Sequence, residues 1–247
     1  QINGDSQNNS QSMLVVPLNA GDRLVGVLNL ETKEPKKFTP DTIKFINLLA
    51  TNTAVAIQNT FVHEDVQRMA VQDPLTGLYN RRGLLNYGIH EVNRIIRLKS
   101  TMCAIFCDID LFKQFNDRYS YDVGDLVLKI VAELLLASTR NVDLVARYGG
   151  EEFVVLFPDV DLDEATLIAE RLRKLIENHR LSTEGNELSI TVSLGVARLT
   201  LPSDVSHFSP GEDEKMLTDL IDRAASMLHK AKQNGRNRVE AENSFFV

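Results

Sequence analysis

A chain of 247 residues with 43% hydrophobic and 25% charged residues has the balance of a folded globular protein, with room for one large domain or for a domain and a smaller element. Its net charge of −7 argues against a nucleic-acid backbone as the main partner, since that would call for a surplus of Lys and Arg. No run is apolar and long enough to span a bilayer and Gln1-Ile2-Asn3-Gly4-Asp5 is no signal peptide, so the expected compartment is the cytoplasm, with no membrane partner for this chain.

Residues 1 to 12 are rich in Asn, Gln and Ser and read as a polar end or loop. Met13 to Leu18 predicts a strand, Asn19 to Arg23 a turn, and Leu24 to Leu30 the returning strand. Thr39-Pro40-Asp41 opens a long helix with proline in its first turn. Its apolar stripe runs Ile43, Ile46, Ala50, Ala54, Ile57, Phe61 and continues, shifted by one position, through Val62, Val66 and Met69. Pro74 and Gly77 end that helix and set a domain boundary. Beyond it the pattern predicts helices near 81–98, 123–139, 163–179 and 214–233, strands at 102–109 and 188–198, a hairpin over 143–157 and a short strand at 238–240. Leu201 to Glu214, with two prolines and a glycine, reads as a surface loop. Hairpins mixed with crossovers predict an α/β (α+β) fold: a ferredoxin-like, palm-type central sheet surrounded by helices, after an N-terminal hairpin and a long signalling helix. Cys103 and Cys107 fall four apart in one strand, roughly 13 Å from each other, and are expected as unbridged core thiols.

Several short stretches carry chemistry. Gly149-Gly150-Glu151-Glu152 lies between the apolar runs Leu144-Val145-Ala146 and Phe153 to Phe157, which predicts a two-residue glycine turn with carboxylates at a hairpin tip. Asp108 and Asp110 close an apolar strand on one face, and with the hairpin acids would offer the oxygen ligands that Mg²⁺ or Mn²⁺ prefers. Leu111 to Asp117 turns from strand into a short helix whose free N–H groups suit phosphate oxygens. Asp122 and Asp125 open the next helix, Asp122 best read as its cap. Lys230-Ala231-Lys232-Gln233-Asn234-Gly235-Arg236-Asn237 puts cations at a helix C-terminus. Each stretch alone also has a plain structural explanation as a solvated turn, a cap or a dipole partner.

Together these stretches resemble a known family. Asp73-Pro74-Leu75-Thr76, Asp108-Ile109-Asp110, Phe112-Lys113, Asn116-Asp117, Gly124-Asp125, Gly149-Gly150-Glu151-Glu152-Phe153, Ser193-Leu194-Gly195-Val196 and Lys232 to Asn237 look like a GGDEF domain, a diguanylate cyclase, over 73–247. The Gly26 to Leu30 strand, the Phe38 to Asp41 helix start and the Ala54 to Asn59 run resemble the C-terminal half of a GAF sensor domain over 1–62, with 63–72 as a helical linker. That part also reads as a plain dimerisation arm, and half a sensor domain implies a piece of a longer protein.

The cyclase resemblance implies roles for individual residues. Asp108 and Glu151, with the carbonyl of Ile109, would hold two Mg²⁺ (or Mn²⁺) ions, and Glu152 would assist or orient Glu151. The N–H groups of Leu111, Phe112 and Lys113 and the side chains of Lys232 and Arg236 would hold the β- and γ-phosphates of GTP, with Gly149 and Gly150 lying close against the nucleotide. Asn116 and Asp125 would read guanine. Two GTP would give cyclic di-GMP and two pyrophosphates across a homodimer, and the stripe of the helix from Asp41 to Met69 suits a helix pair. Arg140 and Asp143, beginning nine residues before Gly149, match the family's Arg-x-x-Asp inhibitory site for the product, with Arg171 contributing. The chain departs from the family at Tyr119-Ser120-Tyr121, where Phe-Gly-His is usual, and at Ala224 to His229 in the last helix. The competing readings are a catalytically silent cyclic di-GMP receptor and a purely structural dimerisation module.

Overall fold

The computed structural model describes residues 12–35, 38–183, 186–201 and 211–242. The polar end expected over 1 to 12 and most of the loop expected from Leu201 to Glu214 lie outside them. The chain packs as two units, Gln1–Arg68 and Met69–Val247.

In the first unit, β1 (Ser12–Ala20) and β2 (Arg23–Thr32) pair antiparallel, from Ser12 opposite Thr32 to Ala20 opposite Arg23. Helix α1 (Pro40–Val71) is capped by Thr39, whose Oγ1 accepts from Thr42 N at 3.2 Å. Ile46, Ala50 and Ala54 are buried with Val16 and Leu18 of the hairpin, and Ile57 packs at their edge. The middle of the stripe expected to serve a helix pair is thus spent on this chain's own sheet. Phe45, Leu48, Leu49 and Val55, on other faces of α1, are exposed instead.

The second unit is a six-stranded mixed sheet. Its strands are β3 (Tyr79–Asn80), β4 (Met102–Ile109), β5 (Leu144–Arg147), β6 (Glu152–Pro158), β9 (Val192–Arg198) and β10 (Val239–Ala241), in the order β10-β9-β4-β6-β5-β3. A small separate hairpin joins β7 (Leu181–Thr183) to β8 (Asn186–Leu188). The single strand expected over 188–198 is therefore two pieces, split at Ser189–Thr191. The helices are α2 (Arg81–Leu98), α3 (Phe112–Tyr119), α4 (Tyr121–Ala137), α5 (Leu162–Asn178) and α6 (Glu212–Gln233). Asp122 lies in the first turn of α4 and makes no cap bond, against the expectation that it caps the helix.

Strand β4 is antiparallel to both neighbours and buried along its whole length. Alternation then sorts its side chains. Cys103, Ile105, Cys107 and Ile109 join the core under α4 and α5, while Met102, Ala104 and Phe106 join the core under α2 and α6. Truncating a residue such as Ile105 to Ala would cost roughly 2–5 kcal/mol. Helix α6 lies directly on β9 because Gly195 has no side chain: a Cβ there would stand 2.1 Å from the Ala224 carbonyl oxygen. That close seam fixes where the far end of α6 reaches the sheet.

Burial pushes the Cys103 thiol up to about 12 and Cys107 higher still, so neither is a thiolate near neutrality. A thiol reagent at pH 8 is expected to leave both unmodified in the folded protein and to label both in denaturant; rapid labelling of either in the native state would contradict this packing.

Candidate active site

The parity that buries β4 carries past its last apolar position. Asp108 falls on the α6 side of the sheet, and its Oδ2 meets Lys232 Nζ at 2.8 Å, with the aspartate side chain only 6% exposed. Across the β4–β6 ladder Asp108 stands directly opposite Glu152. The next residue, Ile109, donates its N–H to the Glu151 carbonyl at 3.3 Å, which draws the hairpin tip against the strand end. Burial pushes the Asp108 carboxyl up to about 6; Lys232 pulls it down, and Glu151 and Glu152 push it further up.

The hairpin itself differs from expectation. Tyr148 N donates to Glu152 O at 2.8 Å, so the loop is three residues, Gly149 to Glu151. Neither glycine has the positive φ that a two-residue turn of the primed type requires. The loop is held from outside by Arg147, whose Nη2 donates to Gly150 O at 2.7 Å and whose Nη1 reaches both Asp73 oxygens at 3.2 Å. Asp73 also accepts from Thr76 N at 2.9 Å and Thr76 Oγ1 at 2.7 Å. The Asp73-to-Thr76 motif is therefore a clamp on the carboxylate hairpin, a role that the sequence reading missed.

Between β4 and α3, Leu111 sits at φ 58°, a left-handed turn that is costly for a branched residue and lets the chain enter α3 at Phe112. The first N–H groups of α3, those of Phe112 and Lys113 included, have no acceptor within the helix. Asn116 Oδ1 is buried without a hydrogen-bond partner and faces Gly124, where a Cβ would lie 1.9 Å from it. An orphan acceptor of that kind is costly unless something supplies a donor. Asp125 is exposed one turn into α4. Ser120, at the junction of α3 and α4, has φ 96° and ψ 160°, a region that glycine alone enters without strain. The departure from Phe-Gly-His thus keeps a glycine-type conformation at the cost of strain.

At the other end of α6, Gly235, Arg236 and Asn237 all have positive φ and wrap the chain back toward the sheet. Asp110 secures this turn. Its Oδ2 accepts from Asn237 N at 3.0 Å and Thr191 Oγ1 at 2.7 Å, and its Oδ1 from Ser193 Oγ at 2.6 Å. Asn237 is also held by Arg173 at 2.7 Å and Glu177 at 2.7 Å. So Asp110, expected beside Asp108 on one face, is fully used in placing the segment that bears Lys232 and Arg236.

The second sequence-predicted site also assembles. Arg140 Nη2 meets Asp143 at 3.1 Å, and its backbone N–H donates to the same carboxylate at 2.7 Å. Asp143's side chain is 1% exposed whereas that of Arg140 is 54% exposed. Arg171 donates to the Ser138 carbonyl at 3.3 Å, two residues before Arg140.

The profile of the family described as "Diguanylate cyclase, GGDEF domain" matches residues 70–238, and that of the GAF domain matches residues 1–59. "Diguanylate cyclase A" of Treponema denticola is 34% identical over 229 residues, covering 91% of this chain and 58% of that protein. "Response regulator PleD" of Caulobacter vibrioides is 38% identical over 173 residues, 69% of this chain and 36% of that protein. The chain thus spans less than two thirds of these curated relatives. Among solved structures, the coiled coil and GGDEF domain of DgcB from Caulobacter crescentus in complex with c-di-GMP matches with a TM-score of 0.68 at 29% identity, over 80% of this chain and 99% of that one. The active GGEEF domain of a diguanylate cyclase from Vibrio cholerae matches with a TM-score of 0.58 at 30% identity, over 67% of this chain and 97% of that one.

Burial tends to raise the Asp73 carboxyl, but bonds from Thr76 and Arg147 outweigh it and hold the group below the usual range. A depressed carboxylate stabilises the fold above its unfolded pKa and loses that contribution as pH falls through the folded one. Asp73→Asn is therefore expected to cost about 1–2 kcal/mol at pH 7, with the gap to the parent closing below about pH 4; a gap independent of pH in urea melts would sink the clamp. Ser120→Gly is expected to stabilise the protein by about 1 kcal/mol by relieving the strained φ, and an unchanged urea midpoint would show that no strain is stored there.

Proposed function

The chain belongs to the GGDEF family of diguanylate cyclases, and from that premise we propose that it condenses two GTP into cyclic di-GMP and two pyrophosphates. The observation that carries this reading is the buried Asp108 at a strand end against Lys232, with Glu152 opposite it in the ladder and the Glu151 carbonyl bonded to the next residue of the strand. The 3′-oxygen of one GTP bonds to the α-phosphorus of the other, the bond to the bridging oxygen of the β-phosphate breaks, and pyrophosphate leaves. Repeating the step in the other direction closes the ring and requires two domains face to face, hence a homodimer.

Asp108 and Glu151, completed by the Ile109 carbonyl and by substrate oxygens, would hold two Mg²⁺ or Mn²⁺ ions. Among the described residues no three His, Cys, Asp or Glu side chains converge, so the remaining ligands of such ions would have to come from backbone and substrate. A carboxyl raised chiefly by burial, with two acidic neighbours adding to the effect and one lysine against it, suits an added dication. Such ions, when bound, neutralise charge on the α-phosphate and leaving group and acidify the 3′-hydroxyl. Lys232, now paired with Asp108, would exchange it for a phosphate oxygen, and Arg236 and the N–H groups of Leu111, Phe112 and Lys113 would take the β- and γ-phosphates. Glu152, opposite Asp108, would orient Glu151 or take the proton. Asn116, whose amide oxygen lacks a donor, and Asp125 would accept from the guanine N–H groups that adenine does not offer.

The pairing of exposed Arg140 with buried Asp143, close to Arg171, supports product inhibition there: a guanidinium stacks on guanine or pairs with phosphate, and Asp143 holds it in place.

Purified protein stripped of nucleotide is expected to convert GTP with Mg²⁺ to cyclic di-GMP, read by mass, and to lose at least about 10³-fold in rate on Glu151→Ala or on chelation of the metal. Equal rates in parent and Glu151→Ala would refute the metal role, and product binding by a parent that makes none would favour the silent receptor.

A further inference from the structure

On the outer side of the Gly149–Glu151 loop lies a cleft of about 480 Å³ to which no role has so far been given, lined by the loop itself, by Arg147 and Tyr148, and by the first turn of α2. Of its charged groups, Asp73 and Arg147 neutralise each other. Arg81 and Arg82 are exposed, and among the described residues neither has a carboxylate partner. Arg81 instead stacks over the Tyr148 ring at 4.9 Å, and that ring leans edge-on against Phe106 at 5.3 Å. Two cations in the first turn of a helix oppose its dipole, and the first turn of α2 contains no acid to offset them. Nothing in the fold accounts for this charge.

Gly150 points the same way. Its φ is not positive, and a Cβ built on it would meet nothing within 4 Å. Neither backbone conformation nor packing within the chain requires glycine there, so this side of the loop, like the side expected to face the chain's own nucleotide, is open to close approach. The cleft belongs to the β5–β3 edge of the sheet, whereas Asp108, α3 and Lys232 belong to the β4 side. Three strand spacings, roughly 14 Å, separate β4 from β3. Arg81 and Arg82 thus stand at another edge of the sheet from the groups that would hold the chain's own phosphates.

Resting on the cyclase reading above, we propose that Arg81 and Arg82 contact the anionic nucleotide carried by the second copy of the chain, and so act in trans on the substrate that must meet this one over Gly150. The twofold axis makes the arrangement mutual, so that each copy's cleft receives the other's nucleotide. Arginine suits the task, since its planar fork pairs with phosphate oxygens while its face stays stacked on Tyr148.

The experiment compares the parent with Arg81→Gln/Arg82→Gln and with Arg82→Lys. It measures turnover at saturating GTP, affinity for 3′-deoxy-GTP in dilute monomer, and dimerisation with that analogue by sedimentation. The expected result is turnover at least about tenfold lower in the double variant, partly kept in Arg82→Lys, with analogue affinity and dimerisation within about twofold of the parent. Turnover unchanged in the double variant overturns the proposal. So does a loss of analogue affinity that matches the loss of rate, which would place the arginines at the chain's own nucleotide, or a loss of dimerisation, which would make them interface residues. A parent that makes no cyclic product overturns the cyclase reading itself, and is recognised because no variant is needed to see it.

Discussion

The candidate site depends on the two-residue period of one buried strand. Because β4 is covered on both faces and flanked on both edges, its register cannot slip without moving Met102, Ala104 and Phe106 out of one core and Cys103, Ile105 and Cys107 out of the other. Asp108 inherits its side from that alternation. It is delivered to α6 by the packing of six residues before it rather than by any bond of its own. The same period in β6 turns Glu152 to face it.

Around that fixed carboxylate the chain spends much of its unusual backbone. Leu111, Ser120, Arg236 and Asn237 are all non-glycine residues at positive φ, and all lie in the turns that bring α3, α4 and the end of α6 to the sheet. Such conformations persist only where surroundings hold them. For Asn237 the holders are Asp110, Arg173 and Glu177; for the carboxylate loop they are Arg147 and Asp73. The charged groups of this domain thus divide into those that brace the site and those left open to a ligand.

Much of this was legible in the sequence, and the limits have physical causes. The strand at 102–109 and its terminal acids were readable because an apolar run that stops at a charge marks its own boundary. The bracing roles of Asp110 and Asp73 were not, since the partners that give them those roles, Asn237, Thr191 and Ser193 for the one and Arg147 for the other, lie far along the chain. The glycine pair suggested a two-residue turn by composition, yet the loop is longer because Arg147 draws the Gly150 carbonyl outward. The stripe of α1 was read correctly as apolar, but its middle covers the β1–β2 hairpin of the same chain: periodicity shows that a face is covered, not by what.

Asp110 joins three places far apart in the chain: the end of β4, the start of β9 and the turn at Asn237. No nascent chain that stops short of Asn237 can complete this junction, and Lys232 and Arg236 arrive only with it. A domain whose early strands have already collapsed would therefore remain without the cation paired to Asp108 until nearly its whole length had left the ribosome. Completion of the site around Asp108 is in this sense a report that synthesis of the domain has finished.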